Sequence, residues 1–438
     1  MKSAAEKCLE EIGWGKYQNF LFICGCEAIG IGVGASMLIP LIIVELTDIS
    51  NASKGLLATV MNLGMLIGSW YFGKKADQGG RISYFRQSSY ILLLGLTILF
   101  LSNTYLAFLA ALFFIGCGFG SDNALINSLL IESIPASGRK SLAWLLGSIN
   151  VSNCAIFVIA AVVEVFKVTF ISDWRLVAGI FIIIRVIFIY LRNFLEEGPV
   201  FLCKQGKNEE MKKVLKKIAD MNGMKDFDPE LLEIVEKLPA SGPAISDLFK
   251  VPLSSITFKL IPLFFFTFLG FQGIIMFLPK IIVTETKLQK FTLIAFLQII
   301  GLLGRFLAAK LIDTNLGRKY TTVLSQFLLA ATAFGFAFAN GFMQNLIVNF
   351  VFSISLSMMM AAQNVISAES YPPFNRSLSI GVLMSVGSVG GMLSSVILGA
   401  FIDNFGVSIA MIYSSSVFVL AGMVASRLKE TREVHKQS

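Results

Sequence analysis

Twelve long apolar runs constrain the fold of this chain more than any other feature. An α-helix needs about 20 apolar residues to cross the hydrocarbon core of a bilayer, and most of the runs reach that length. Only 15% of the 438 residues are charged, whereas 55% are hydrophobic. The sequence therefore predicts an all-α polytopic membrane protein with twelve transmembrane helices. The runs cover about 18–44, 54–73, 87–102, 104–131, 141–168, 174–194, 254–282, 291–312, 320–340, 344–368, 377–401 and 404–426.

The same composition argues against other classes of protein. A soluble chain carries about a quarter charged residues, and no nucleotide-binding loop, metal-ligand cluster or catalytic triad is visible. The six cysteines follow no metal-binding spacing, and the single histidine, His435, lies near the C-terminus. The net charge of +8 comes from loops between apolar runs, which is typical of membrane proteins. We therefore expect no enzyme activity, no cofactor, no metal site and no nucleic-acid partner, with membrane lipid as a partner.

The distribution of positive charge predicts the orientation. Loops after the second, fourth, sixth and eighth runs carry Lys and Arg, whereas most loops of opposite parity carry few. The loop after the seventh run, with Lys280, Lys287 and Lys290, is the exception. By the positive-inside rule, both termini lie on the cytoplasmic side or the equivalent side of an organelle. The cell membrane is the favoured location, and a vesicle or mitochondrial membrane is the alternative.

The longest polar stretch, residues 196–253, separates the runs six and six. Within it, Met211, Leu215 and Ile218 recur at helical spacing with Lys and Glu opposite, which predicts an amphipathic helix. A solvated linker helix under the bundle is the favoured interpretation, and a lipid-binding or partner-binding helix is the alternative. The predicted organisation is an N-terminal segment 1–17, a six-helix bundle 18–195, a linker 196–253, a second six-helix bundle 254–427 and a tail 428–438.

Two short motifs recur at one offset. Residues 132–139 (ESIPASGR) and 369–376 (ESYPPFNR) both read E-S-x-P-x-x-x-R and are separated by 237 positions. The pairs Gly80-Arg81 and Gly317-Arg318 are separated by 237 positions as well. Two motif pairs at a single offset indicate an internal duplication. We therefore expect two six-helix repeats in parallel orientation, with a substrate site near the midplane between them.

The repeated loops carry charges that can form ion pairs at helix ends. Such pairs and helix-dipole contacts can hold one face of a transporter closed and release when its halves rock. A role confined to loop geometry is the alternative. The candidate gating residues are Asp77, Gly80, Arg81, Glu132 and Arg139 in the first half, and Asp313, Gly317, Arg318, Glu369 and Arg376 in the second.

These motifs resemble those of the major facilitator superfamily over nearly the whole chain. Residues 64–81 (GMLIGSWYFGKKADQGGR) are similar to the superfamily's signature loop between helices 2 and 3. Residues 173–175 (DWR) and 197–202 (EGPVFL) resemble its motifs before and after helix 6. Residues 270–282 (GFQGIIMFLPKII) resemble helix 7 of the branch that holds synaptic vesicle glycoprotein 2, the organic-ion transporters and the metabolite:proton symporters. The resemblance implies secondary transport by alternating access, with helices 1, 4, 7 and 10 lining the cavity.

The chain departs from the family pattern at several positions. Leu112 stands where helix 4 often has Arg, and Ser388 stands where anion transporters and symporters often have Arg in helix 11. Val200 replaces an Arg of the motif after helix 6. Residues 428–432 (LKETR) resemble a family motif after helix 12, in which Lys429 replaces a Pro. The absence of Arg at position 388 weakens an anion-transporter interpretation. The other departures keep a second function open, that of a transporter-like structural or receptor subunit of a membrane complex, with partner subunits and without transport.

Glu27 is the main candidate for a functional side chain. It lies inside the first apolar run, where an ionisable group is costly and is by default a functional hypothesis. Facing a cavity, an unpaired carboxylate at this depth could exchange protons near neutrality. A structural acid that is hydrogen-bonded between helices is the alternative.

Further polar side chains lie within the apolar runs. Asp122 is as consistent with a structural role as with a functional one, because a neighbouring Asn could satisfy it. Arg185 is isolated in an apolar run, so we expect it to snorkel or to contact a partner subunit. Polar residues can also simply join helices. The candidate substrate or proton-coupling residues are Glu27, Asp122, Asn123, Asn127, Gln272, Gln363 and Asn364.

These observations predict a secondary transporter of a small organic solute, with a proton as a possible second partner. The two membrane carboxylates favour a cationic or neutral solute, or proton-coupled uptake of an acid.

Overall fold

The structure is a computed structural model that describes residues 4–135, 141–166, 172–224, 227, 245–282, 286–314, 316–339, 341–372 and 375–431. The described residues form fifteen α-helices. Their bounds are α1 Ala4–Ile12, α2 Lys16–Ser36, α3 Leu38–Glu45, α4 Asn51–Gly79, α5 Arg81–Leu101, α6 Tyr105–Ser133, α7 Ser141–Val165, α8 Asp173–Leu191, α9 Pro199–Lys204, α10 Asn208–Asn222, α11 Ser254–Ile281, α12 Lys287–Asp313, α13 Gly317–Phe336, α14 Phe342–Ser370 and α15 Arg376–Ser426.

The twelve apolar runs correspond to long helices. Nine helical segments in the described residues are long and apolar enough to cross a membrane, with α2 and α3 forming one of them. One of the nine is α15, which changes direction at Gly406, where φ is +82°. Dividing α15 there and adding α7 and α13 gives the predicted twelve. The break expected at residues 402–403 is displaced to Gly406, because only glycine adopts this conformation readily.

The first of two compact units comprises Met1–Ala35, Leu63–Ser152 and Ala178–Gly242. Its core runs from the membrane helices into the linker, because apolar residues of α6, α9 and α10 share one buried cluster with α1. Met211, Leu215 and Ile218 on α10 are fully buried in that cluster, beside Leu9 of α1. The predicted amphipathic helix is therefore present, and its apolar face is covered by this chain's own α1 and α9.

One side chain joins the linker to the start of the first membrane helix. Asn222, the last residue of α10, accepts the backbone N–H of Tyr17 at 3.0 Å and donates to Gln18 Oε1 at 2.9 Å. The Tyr17 hydroxyl lies 3.1 Å from the carbonyl oxygen of Glu196. The linker helix is thus hydrogen-bonded to α2 as well as packed against α1.

The second unit comprises Ser36–Asn62, Asn153–Val177 and Pro243–Ser438. Within it, α11 packs along α15, α12 packs on α14, and α13 contacts both α14 and α15. Residues 51–62, the first turns of α4, belong to this unit although they lie in the first half of the sequence. The predicted division into two six-helix bundles stays a prediction.

Candidate functional site

Four charged side chains meet in the interior of the first unit. Glu27 comes from α2, Asp122 from α6, Arg185 from α8 and Arg192 from the 3-10 turn that follows α8. Asp122, Arg185 and Arg192 are fully buried, and Glu27 is 8% exposed. Two carboxylates and two guanidinium groups give this ion cluster no net formal charge. Buried charges are tolerated when they are paired in this way.

Each acid of the ion cluster contacts both arginines. Arg192 Nη2 lies 2.9 Å from Glu27 Oε2 and 3.1 Å from Asp122 Oδ2, while its Nη1 lies 3.0 Å from Asp122 Oδ1. Arg185 Nη1 donates to Asp122 Oδ2 at 3.0 Å, and its Nε lies 3.2 Å from Glu27 Oε1. A planar guanidinium can bridge two carboxylates because its donors form a fork, which a lysine ammonium lacks.

Helix α5 fixes the position of the ion cluster. The Ser88 hydroxyl donates to Asp122 Oδ1, and Arg192 Nη1 donates to the Ser89 hydroxyl. The same Nη1 donates to the carbonyl oxygen of Phe85 at 2.8 Å. The guanidinium carbon of Arg192 lies 3.7 Å from the centroid of the Phe85 ring, a cation–π contact. Arg192 is therefore held by α5 and α6 as well as by Glu27.

The two acids are not equally satisfied. Asp122 accepts hydrogen bonds from Ser88, Arg185 and Arg192, with both of its oxygens engaged. Among the described residues, Glu27 accepts one, from Arg192, because its Oε1 faces Arg185 Nε without hydrogen-bond alignment. Protonating Glu27 would therefore disrupt fewer hydrogen bonds than protonating Asp122.

The ion cluster changes two sequence-based interpretations. The interpretation of Arg185 as an isolated arginine is wrong, because this side chain is fully buried and paired with both acids. Glu27 is likewise not unpaired. Sequence analysis does not identify Arg192, although its spacing of seven from Arg185 places both arginines on one helical face.

The other candidate substrate residues form smaller groups. Asn127 Nδ2 donates to the carbonyl oxygen of Asn123 at 2.7 Å and to its Oδ1 at 3.2 Å, so these two contact each other along α6. Gln363 is buried, and its Oε1 lies 3.4 Å from Gln326 Nε2. Gln272 and Asn364 are half-buried, and their side chains have no hydrogen bond among the described residues. None of these five belongs to the ion cluster.

The first Gly-Arg loop builds an arrangement that we call the first cap. Gly80 has a φ of +98°, and it ends the turn between α4 and α5. Glu197 then accepts the backbone N–H groups of Arg81 at 2.9 Å and Ile82 at 3.1 Å, the first two of α5. A carboxylate is stabilising at this end of a helix. The Arg81 side chain pairs with Glu132 through two contacts of 2.7 and 2.8 Å.

The second Gly-Arg loop builds a matching second cap in the other unit. Gly317 has a φ of +67°, and Glu430 accepts the backbone N–H groups of Arg318 and Lys319, each at 2.9 Å. The Arg318 side chain pairs with Glu369 through contacts of 2.9 and 3.2 Å. The predicted repeat therefore extends to individual hydrogen bonds.

The remaining candidate gating residues take no described part in the caps. Asp313 is exposed at the end of α12 and forms no ion pair among the described residues. Asp77 lies in α4 and Arg376 begins α15, but their side chains lie outside the description, as does all of Arg139. Sequence analysis does not name Glu197 and Glu430 as site residues. Both stand in motifs that carry the family resemblance, which is the signal that could have found them.

A third polar group, the α4 junction, ties the start of α4 to α15 within the second unit. Asp403 accepts the backbone N–H groups of Asn51 at 3.1 Å and Ala52 at 2.9 Å, and it also accepts from the Asn51 side chain. Lys280 Nζ donates to Asn51 Oδ1 at 2.9 Å. Asp403 thus acts as the capping carboxylate of a helix that is 352 residues away in sequence.

Small residues let the two helices of the junction approach closely. A Cβ built on Gly55 would lie 2.3 Å from the carbonyl oxygen of Ser395, and one on Gly399 would lie 2.3 Å from that of Asn51. Thr59 adds a hydrogen bond of 2.7 Å to the carbonyl oxygen of Met392.

The fold agrees with comparisons to known proteins. The profile of the Major Facilitator Superfamily matches residues 20–355 and 314–438. The chain belongs to this superfamily.

Three relatives illustrate the range of the match. This chain is 24% identical over 283 residues to Sugar transporter ERD6-like 8 of Arabidopsis thaliana, and the alignment covers 63% of this chain and 58% of that protein. It is 25% identical over 401 residues to Inner membrane metabolite transport protein YgcS of Escherichia coli (strain K12), covering 88% of this chain and 85% of that protein. It is 27% identical over 256 residues to Synaptic vesicle glycoprotein 2C of Homo sapiens, covering 53% of this chain and 34% of that protein.

A solved structure confirms the predicted fold. The xylose transporter XylE from E. coli, in a partially occluded inward-open conformation, superposes with a TM-score of 0.76 at 15% identity. The superposition covers 95% of this chain and 99% of that one.

Proposed function

We propose that this protein is a secondary active transporter that moves a small organic solute by alternating access and exchanges a proton at Glu27. Membership of the superfamily and the names of its relatives support the transport activity. The observation that carries the assignment to Glu27 is the asymmetry of the ion cluster. Among its two acids, Glu27 is the more exposed and the less completely hydrogen-bonded.

Protonation of Glu27 has a mechanical consequence. A neutral Glu27 leaves two arginines with one carboxylate, so one buried positive charge loses its counter-ion. The contacts of Glu27 with Arg185 and Arg192 join α2 to the α8 segment, whereas Arg192 stays bound to α5 and α6 through Phe85, Ser89 and Asp122. Proton uptake therefore frees α2 selectively, and proton release pulls it back.

We further propose that the caps and the α4 junction act as gates. Each contains a carboxylate on the N-terminus of a helix, where the helix dipole stabilises negative charge. The ion pairs Arg81–Glu132 and Arg318–Glu369 support this role, since each fixes the orientation of its loop, the second through two hydrogen bonds.

The test is uptake into proteoliposomes from a mixture of metabolites, with and without an inward proton gradient, read by mass spectrometry. We expect one solute to accumulate in response to the gradient. Glu27→Gln should still exchange that solute but should no longer accumulate it. Glu209→Gln, at an exposed carboxylate of α10, is the matched control and should behave as the wild type. Equal stimulation of Glu27→Gln and wild type by the gradient would contradict the assignment.

The charge balance of the ion cluster also favours a second candidate function. Two acids that are fully neutralised by two buried arginines suit a static membrane subunit. If well-folded, correctly inserted protein accumulates no solute, the structural or receptor subunit becomes the better interpretation, and capture of partner subunits from the native membrane is the next experiment.

A further inference from the structure

Lys54 is a buried lysine that the proposed mechanism does not use. It lies in the first turn of α4 and is 7% exposed. Among the described residues, its ammonium group has neither a hydrogen bond nor an ion pair. The side chain is thus mostly covered, while the charge of its ammonium group is compensated by no carboxylate of the described residues, which is unfavourable. The positive end of the helix dipole makes a cation at this position more unfavourable still.

The charged groups around Lys54 do not supply the missing partner. Lys280, Asp403 and Asp48 lie within electrostatic range of it. Lys280 carries the same charge. Asp403 is already engaged by the N-terminus of α4 through Asn51 and Ala52. Asp48 is exposed and accepts from the hydroxyl of Thr47. Asp403 is thus occupied by the N-terminus of α4, and among the described residues neither ammonium group forms an ion pair with it.

We propose that Lys54 and Lys280 form a binding site for a small organic carboxylate. The site lies at the N-terminal end of α4, beside the α4 junction. This inference rests on the transport function proposed above and names its solute class, an organic acid anion. A carboxylate would supply the counter-ion that Lys54 lacks, with Lys280 as a second donor. Ser388, whose lack of charge weakens an anion-transporter interpretation, lies elsewhere on α15.

The charge count of the ion cluster agrees with an anionic solute. When Glu27 takes up a proton, the cluster gains one positive charge. A monocarboxylate that enters with that proton keeps the overall step electrically neutral, whereas a cation entering with it would add two charges. The two sites are separate observations, and only the one at Lys54 carries the proposal.

The test measures equilibrium binding and needs no transport. Full-length protein is placed in nanodiscs of phosphatidylcholine, and its thermal unfolding is followed with acetate, succinate, citrate, inorganic phosphate, choline or xylose as the probe. We expect at least one carboxylate to raise the Tm in a saturable way. Lys54→Gln should weaken that carboxylate's apparent affinity at least fivefold, and Lys54→Arg should retain most of it. The proposal is overturned if no carboxylate shifts the Tm, or if Lys54→Gln binds it as tightly as the wild type.

Two further arms distinguish other partners of Lys54. Glu285 lies outside the described residues, so Glu285→Gln and the double variant with Lys54→Gln are compared without ligand. Additive changes in Tm support a free Lys54, and a double variant no worse than either single variant identifies Glu285 as its partner and refutes the site. A Lys54-dependent shift seen only in nanodiscs with phosphatidylglycerol assigns the site to a lipid headgroup and also refutes it.

The outcome is separable from that of the proposed function. Proton-driven accumulation of a cation or sugar, without carboxylate binding, would leave the transport function standing and remove this site. Lys54-dependent carboxylate binding without uptake would support this site and contradict the transport function.

Discussion

The two repeats place different chemistry at equivalent positions in their interiors. At the offset of 237, Ser88 and Ser89 on α5 correspond to Ser325 and Gln326 on α13. In the first unit, the serine pair binds Asp122 and Arg192 of the ion cluster. In the second unit, Gln326 donates to the Thr267 hydroxyl at 2.7 Å and lies 3.4 Å from Gln363 Oε1, so the group is neutral.

The helix ends of the repeats, in contrast, have stayed alike. Both caps use a positive-φ glycine, an Arg–Glu ion pair and a carboxylate on two backbone N–H groups. Every helix of this kind must satisfy its first N–H groups, so the caps answer a requirement of the backbone. The interior has no such requirement. Under the proposed function, the duplicated fold would confine proton exchange to one half while it keeps the same loop chemistry in both.

The substitution with the largest expected effect removes one positive charge from the ion cluster of the first unit. Arg192→Met leaves Glu27 and Asp122 with Arg185 alone, and we expect it to lower the free energy of unfolding by about 3–5 kcal/mol. Denaturant unfolding in detergent measures this. Adding Glu27→Gln to Arg192→Met restores neutrality and should recover part of the loss. If Arg192→Met lost no more stability than Gln326→Met, the two interiors would not differ in their contribution to stability.

A smaller effect tests the likeness of the caps. Glu197→Gln and Glu430→Gln each weaken a charge-assisted contact at a helix N-terminus, and we expect each to lower stability by about 1 kcal/mol. Hydrogen exchange at the first turns of α5 and α13 should rise in both. Glu196→Gln, at a surface pair with Lys217, is the control and should change stability less. Unequal losses of stability in the two variants would show that the two caps are not equivalent.

The neutral interior should respond weakly. Gln326→Met removes a buried hydrogen bond to Thr267 and fills similar volume, so we expect a loss of about 1 kcal/mol. The same unfolding assay measures it beside Arg192→Met. Retained proton-gradient response in Gln326→Met would sharpen the comparison, since only the first interior is assigned to proton exchange.

The smallest expected effect concerns the packing of α1 against α9 and α10 in the first unit. Burial raises the pKa of the Cys8 thiol to about 11, with Glu11 and Cys203 adding to the rise. Because only the thiolate reacts, a pKa raised from 9.0 makes alkylation at pH 8 about 100-fold slower, with the rate rising until the pH nears 11. Asn222→Ala should loosen the linker and speed the labelling of Cys8 in a Cys203→Ser background. An unchanged rate would mean that Asn222 does not hold α1 in place.

Much of the architecture is predictable from the sequence. The apolar runs predict the long helices, because a bilayer allows few other structures. The offset of 237 predicts the paired loops, and the Arg81–Glu132 and Arg318–Glu369 pairs join residues of motifs that the sequence singles out. The amphipathic pattern of α10 predicts its buried face.

The partners of the buried charges are not predictable in the same way. Residues 27, 122, 185 and 192 lie in three separate apolar runs, and nothing local in the sequence says which helices adjoin. Arg185 therefore looks isolated although it has two partners. Glu197, Glu430 and Asp403 contact backbone N–H groups, which leave no trace in the residue pattern of the helices that they cap.

The four residues of the ion cluster lie far apart in the sequence, which has a consequence for synthesis of the chain. Glu27 and Asp122 leave the ribosome before Arg185 and Arg192 exist, so two helices must enter the bilayer with acids that have no counter-ion. An arginine at the centre of an apolar helix costs about 2.5–3.5 kcal/mol on insertion, and Arg185 enters late with that penalty. Assembly of the first unit is thus a step after insertion, complete only when the sixth apolar run has been made. A chain cut short before Arg185 would hold Glu27 and Asp122 in the membrane without either of their arginine partners.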